Sequence, residues 1–194
     1  SSIPQAPLGN QFVFFDLHSA GIPHYLQAGL GHQHLYGKSL IRKICLDWFP
    51  QGDFVLASTD SGRAQWVESL AKDMGVGASY ILKQRLSGQE TKVKAVQASV
   101  EGQNVVIYDD MIRTGGSLIK AAQAYLEFGA KQVRAVATHG VLPAGATERL
   151  QECGYLCKVA VSDSHPQAHK LAESFPQFLE VHSCADIFAN FLSP

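Results

Sequence analysis

The sequence is short of charge. Only 17% of its 194 residues are Asp, Glu, Lys or Arg, below the quarter usual in soluble chains. Sixteen basic against seventeen acidic residues leave a net charge of −1, without a block of like sign. A protein that grips a nucleic-acid backbone carries a basic excess or stripe, so nucleic acid is excluded as a first partner. Long apolar runs are missing as well. Phe12-Val13-Phe14-Phe15 is among the longest, far short of the roughly 20 residues of a spanning helix, so no membrane partner is expected. Four cysteines (Cys45, Cys153, Cys157, Cys184) are too few for a disulfide framework in a chain this size and read as reduced thiols of a cytoplasmic protein. Cys153 and Cys157 lack a second Cys/His pair at ligand spacing, which argues against zinc. There is no G-x4-G-K-[ST] loop to hold nucleotide phosphates. Ser61 lies in Asp-Ser-Gly rather than the G-x-S-x-G elbow of a serine nucleophile. The opening Ser1-Ser2-Ile3-Pro4-Gln5 has neither the charged lead nor the apolar core of a secretory leader. It also has no Met, so the chain is expected to be a piece of something longer.

What is present is ordinary globular composition, with 46% hydrophobic residues arranged in a telling order. Short Val-, Ile- and Phe-rich runs (Phe12–Phe15, Phe54–Ala57, Tyr80–Leu82, Val105–Tyr108, Val133–Ala137, Val159–Val161) alternate with amphipathic stretches. That is the pattern of βαβ units around a parallel sheet. Helices are expected over Lys38–Phe49, Gly62–Met74, Gly115–Phe128, Ala144–Glu152 and Cys184–Leu192, most stopped by a following glycine. The fold class is therefore α/β, a parallel sheet flanked by helices. A composition shift at Gly29-Leu30-Gly31-His32-Gln33-His34 separates residues 1–37, which read as the tail of one unit, from 38–194, which read as a complete one.

The strongest signal is Val105-Val106-Ile107-Tyr108-Asp109-Asp110-Met111-Ile112-Arg113-Thr114-Gly115-Gly116-Ser117-Leu118. A buried strand runs into two carboxylates, then a small-residue loop, then a helix start. Ligands of open α/β sheets sit at the carboxyl ends of strands. Thr114-Gly115-Gly116-Ser117 offers backbone N–H groups at a helix N-terminus, which favours a phosphate. Asp109 and Asp110 suit sugar hydroxyls, directly or through Mg²⁺. Together these residue types indicate a sugar phosphate.

The string resembles the ribose-5-phosphate loop shared by type I phosphoribosyltransferases and phosphoribosyl pyrophosphate synthetases (ribose-phosphate pyrophosphokinases). Further segments favour the synthetases. Phe15-Asp16-Leu17-His18 is similar to their D-L-H motif, Ser58-Thr59-Asp60-Ser61-Gly62 to their S-P-D-x-G loop, and Lys83-Gln84-Arg85 to their K-x-R pair. Thr138-His139-Gly140-Val141-Leu142 and Val161-Ser162-Asp163-Ser164 follow in the family's order. The resemblance spans about residues 12 to 192. It implies a phosphoribosyltransferase-like fold and transfer of pyrophosphate from Mg-ATP to ribose 5-phosphate. By that resemblance Lys83 and Arg85 are catalytic, with Arg85 also touching the sugar phosphate. Asp109 and Asp110 hold ribose hydroxyls, while Arg113, Thr114, Gly115, Gly116 and Ser117 hold the 5-phosphate. His18 and Asp60 serve Mg²⁺, and a homo-oligomer is implied. Asp16 and His18 share a face if the strand alternation continues through them.

The sequence departs from the family pattern in places. Arg113 stands where synthetases usually carry Asp, Thr59 where they carry Pro, Arg63 where they carry Gly, and Trp66 where a basic residue is usual. By the resemblance, the adenine-contacting amino-terminal domain is expected to lie mostly upstream, with residues 1 to 37 as its last piece. A stand-alone type I phosphoribosyltransferase is the alternative, although no base-binding hood is legible in residues 1 to 40. A non-catalytic regulatory homologue that binds ribose phosphate is a third reading, supported by Arg113 and the altered Asp60–Trp66 loop.

Overall fold

A computed structural model describes residues 11–19, 21–25, 31–87, 90–97 and 99–193, with the backbone alone for 83–87 and 90–97. The strands are β1 (Gln11–Phe15), β2 (Gly31–Leu35), β3 (Phe54–Ser58), β4 (Gly77–Ser87), β5 (Glu90–Gln97), β6 (Asn104–Ile112), β7 (Gln132–Gly140), β8 (Lys158–Ser162) and β9 (Leu179–His182). The α-helices are α1 (Lys38–Trp48), α2 (Ala64–Met74), α3 (Gly116–Glu127), α4 (Ala146–Glu152), α5 (Ala168–Ser174) and α6 (Ala185–Leu192). All six expected strands and all five expected helices form. β2, β5, β9 and α5 are additional.

Seven strands make the main sheet in the order β5-β4-β3-β6-β7-β8-β9. Every pairing is parallel except β4 with β5, which is antiparallel. The central strands bury both faces, so alternate residues feed two cores. Val55, Ala57, Val105, Ile107, Val133 and Ala135 pack on the side of α3, α4 and α5. Phe54, Leu56, Val106, Tyr108, Val136 and Ala160 pack under α1 and α2, with α6 against their margin. β1 and β2 form a separate two-stranded parallel sheet, in register from Gln11↔Gly31 to Phe15↔Leu35.

This strand order places the ligand crevice. β3 leads to β4 on one side, whereas the next parallel strand, β6, returns to the other side of β3. The chain thus reverses direction across the sheet between β3 and β6, and their carboxyl ends diverge there. The residues that follow these two strands are Thr59–Arg63 and Arg113–Ser117.

Candidate functional site

The site is assembled from the end of β6 outward. β6 does not stop at Tyr108; it continues through both aspartates to Ile112, paired with β7 at Asp109↔Ala137, Met111↔His139 and Ile112↔Gly140. Asp110 shares the parity of Val106 and Tyr108 and faces the α2 side, where it is 2% exposed. Its Oδ2 accepts from the Arg63 guanidinium at 2.5 Å and from His18 Nδ1 at 2.6 Å. Burial pushes the Asp110 carboxyl up, but hydrogen bonding from Asp109 and His18 and the charge of Arg63 outweigh it, so the net shift is downward. Asp109 goes the other way. Burial, the hydrogen bond to Asp110 and that neighbour's charge push it up to about 7. Two carboxylates this close cannot both ionise freely.

The expected face-sharing of Asp16 and His18 does not occur, because β1 ends at Phe15 and Asp16 adopts a left-handed φ of 45°. The turn sends the two side chains apart. Asp16 is buried, and its Oδ2 accepts from the Gly37 amide at 3.0 Å and the Thr138 hydroxyl at 2.5 Å. Gly37 is required there, since a Cβ would lie 2.6 Å from that oxygen. His18 instead stays 68% exposed and reaches Asp110. Two histidines hold this turn in place. His34 Nε2 accepts from the Leu17 amide at 3.0 Å. His139 Nε2 donates to the Phe15 carbonyl at 3.0 Å, and its Nδ1 then accepts from the Ser164 hydroxyl at 2.8 Å.

On the other side of the crevice Asp60 Oδ1 caps the Gly62 amide at 3.0 Å and starts the short turn Ser61–Arg63 that opens α2. Trp66, in the first turn of α2, stacks on Tyr108 with centroids 3.9 Å apart and an interplanar angle of 9°. Beyond β6, Gly115 has φ 78°, and a Cβ on it would stand 2.7 Å from Leu150 Cδ2. Both facts demand glycine where the chain turns into α3. Arg149 steadies the loop by donating to the Thr114 carbonyl at 3.2 Å. The Tyr125 hydroxyl donates to the Ser58 carbonyl at 2.8 Å, tying α3 to the end of β3. The first turn of α3 leaves its amides without intrahelical partners, beside the exposed Arg113, Thr114, Gly116 and Ser117.

His18, Asp60, Asp109, Asp110, Arg113, Thr114, Gly115 and Ser117 line one cavity of about 1050 Å³. Gly116 lies in the same loop. Lys83 and Arg85 are brought to the same end of the sheet by backbone alone. β3 ends at Ser58 opposite Tyr80, and β4 runs on past it to Ser87, in regular register with β5 from Lys83↔Val93 to Arg85↔Thr91. Their side chains lie outside the described residues. Arg63, Trp66, His34 and Tyr36 also line the cavity. Arg63 and Trp66 are legible in the sequence only as departures from the family pattern, His34 reads as structural, and Tyr36 carries no signal.

Among the described residues no group of three or more His, Cys, Asp or Glu converges as a metal cage. The donors on the cavity wall are nevertheless of the right kind for Mg²⁺. That ion takes one or two carboxylates and completes its shell with phosphate oxygens and water, and Asp60, Asp109 and Asp110 are carboxylates. His18 has committed Nδ1 to Asp110, which leaves Nε2.

The sequence profile of the phosphoribosyl transferase domain matches residues 35–162. A ribose-phosphate pyrophosphokinase of Pyrococcus abyssi is 34% identical over 158 residues, covering 81% of this chain and 53% of that protein. One from Gloeobacter violaceus is 35% identical over 182 residues, covering 93% of this chain and 53% of its own length. The crystal structure of phosphoribosylpyrophosphate synthetase from Mycobacterium smegmatis superposes with a TM-score of 0.79 at 33% identity, over 94% of this chain and 57% of that one. The chain spans about half the length of the relatives it matches.

Proposed function

Since the chain belongs to the phosphoribosyl transferase domain family and its relatives are ribose-phosphate pyrophosphokinases, we propose that it binds ribose 5-phosphate and serves the synthesis of phosphoribosyl pyrophosphate. The observation that carries this reading is the placement of Asp109 and Asp110 and the open Arg113–Ser117 loop in one cavity at the reversal of the sheet. A sugar phosphate has hydroxyls at one end and a dianion at the other, and the cavity offers carboxylates and helix-start amides in the same order.

In the proposed reaction the 1-hydroxyl oxygen of ribose 5-phosphate attacks the β-phosphorus of ATP. A P–O bond forms there, the α–β bridging P–O bond breaks, AMP leaves with that electron pair, and the hydroxyl proton passes to solvent. Such transfer is chiefly alignment and charge neutralisation. Asp109 and Asp110 fix the ribose diol, and the loop Arg113–Ser117 fixes the 5-phosphate, so the 1-hydroxyl points toward the β3 and β4 side. Lys83 and Arg85, on the overhang of β4, neutralise charge on the transferring phosphates. Mg²⁺ held through Asp60 and the ATP phosphates, with His18 beside them, would neutralise phosphate charge when bound. Residues 38–194 form the ribose-5-phosphate unit in this reading. The separate sheet of β1 and β2 belongs to a second, phosphoribosyltransferase-like unit. All four cysteines are free thiols, in keeping with a reducing cytoplasm, and no described helix is long and apolar enough to cross a membrane.

The test is AMP release from Mg-ATP with and without ribose 5-phosphate, measured on the chain and on a version extended upstream. Release that depends on ribose 5-phosphate supports the synthetase. A second reading, a regulatory homologue that binds sugar phosphate without transferring pyrophosphate, is favoured by one observation: Arg63 and His18 already occupy the Asp110 oxygen. Ribose 5-phosphate binding without AMP release from either protein would select it.

A further inference from the structure

The Arg63–Asp110 ion pair lies inside the ribose-binding end of the cavity, and its partners have unequal freedom. Asp110 is buried on the β6 strand, with its side chain 3% exposed, whereas Arg63 is 26% exposed at the last residue of the turn before α2. The same Oδ2 takes His18 as well. A ribose diol that bonds Asp110 at Oδ2 therefore meets an oxygen already held by a cation and an imidazole. A diol donates hydrogen bonds but brings no charge. Displacing Arg63 by a diol alone would strand the guanidinium beside the cavity and leave the carboxylate without its cation, an unfavourable exchange for a buried charge. An anion arriving beside the turn changes the balance. A guanidinium pairs readily with phosphate in a forked geometry, so the anion gives Arg63 a new partner and releases Asp110 to the sugar.

We propose that Arg63 is a gate on the ribose-binding carboxylate: it blocks Asp110 in the empty site and yields it when a pyrophosphate-bearing ligand draws the guanidinium away. The inference rests on the ribose 5-phosphate reading of the cavity. Sugar and pyrophosphate binding are then positively coupled through one side chain, and the coupling is reciprocal. A chain with glycine here would have no such link.

The experiment is calorimetric titration of ribose 5-phosphate into the protein, with and without saturating inorganic pyrophosphate and Mg²⁺, for the natural chain and for Arg63→Met and Arg63→Gln. Methionine keeps the packed stem without the charge, and glutamine keeps a donor without the charge. The readout is the ratio of affinities with and without pyrophosphate. Comparing that ratio between proteins cancels any competition of pyrophosphate for the 5-phosphate loop. The ratio should be at least about tenfold larger for the natural chain than for either variant, and both variants should bind ribose 5-phosphate more tightly when pyrophosphate is absent. Equal ratios in the three proteins, or weaker binding by both variants without pyrophosphate, overturn the gate while leaving the sugar-phosphate site standing. If no ribose 5-phosphate binds to any of the proteins in either condition, the gate and the reading beneath it both fail.

Discussion

Asp109 and Asp110 are chemically identical neighbours given opposite electrostatics by one strand. Alternation along β6 turns Asp110 toward Arg63 and His18, while half-buried Asp109, beside the Asp110 carboxylate, is pushed up to about 7 because desolvation and that neighbour outweigh the charge of Arg63. Its folded value lies above the ordinary carboxylate value, so its contribution to stability is fully present below about pH 4 and is lost as pH rises through 7. The cost is roughly 1.4 kcal/mol per unit of upward shift. Asp110 acts in another window, since its lowered value matters only as pH falls through the acid range. Denaturant titrations between pH 5 and 8 should therefore show the natural chain losing stability with rising pH, and Asp109→Asn should flatten most of that slope. Arg113 supports a second expectation. It replaces an acidic residue of the family pattern on the cavity wall beside the phosphate loop. Arg113→Ala should weaken ribose 5-phosphate binding several-fold by calorimetry; unchanged affinity would remove it from the phosphate subsite.

The elements show where a sequence pattern carries geometry and where it does not. The Val105–Tyr108 run and the glycine-rich turn after it announce β6 and α3, because a doubly buried strand and a helix start both need particular residue types. β5 escaped because Glu90–Gln97 mixes charged and apolar residues, the habit of an edge strand rather than a core one. Gly31–Leu35 reads as a composition shift at a boundary, with its histidines structural, and His34 accepts from the Leu17 amide. The left-handed turn at Asp16 is illegible in the sequence too, since the partners that compensate it, among them Gly37 and Thr138, are all distant in the chain. The junction of β6 and α3 is the best place to test the link from sequence to element. Gly115→Ala must adopt φ near 78° and drive a methyl to 2.7 Å from Leu150. A left-handed non-glycine residue costs about 1–2 kcal/mol and overpacking about 1–3 kcal/mol. Chemical denaturation should thus show a loss on the order of 2–5 kcal/mol, partly relieved by adding Leu150→Val, which relaxes the overpacking and leaves the backbone term.

At the scale of the whole molecule, the reversal of strand order between β3 and β6 divides the site into two halves with different duties. In the proposed reaction the β6–α3 half holds the sugar phosphate, and that half is legible in the sequence because its residues are contiguous. In the same proposal the β3–β4 half carries the cations for transfer, and its relation to the first half depends on strand order, which no local pattern encodes. Arg63 was visible as a departure from a motif, but its partner 47 positions away was not, because only the sheet brings β3 and β6 side by side. This division predicts separable kinetic effects for a chain that releases AMP. Lys83 lies on the β4 overhang beyond the end of β3, which the proposed reaction assigns to transfer. Lys83→Ala should lower turnover by at least about a hundredfold, in the range of a lost charge-stabilising group, while calorimetric affinity for ribose 5-phosphate stays within about twofold. Arg113→Ala should show the reverse, a raised KM for ribose 5-phosphate with kcat nearly kept. Loss of both parameters together in Lys83→Ala would mean that the two halves do not act independently, and that β4 supports the sugar site as well as the transfer.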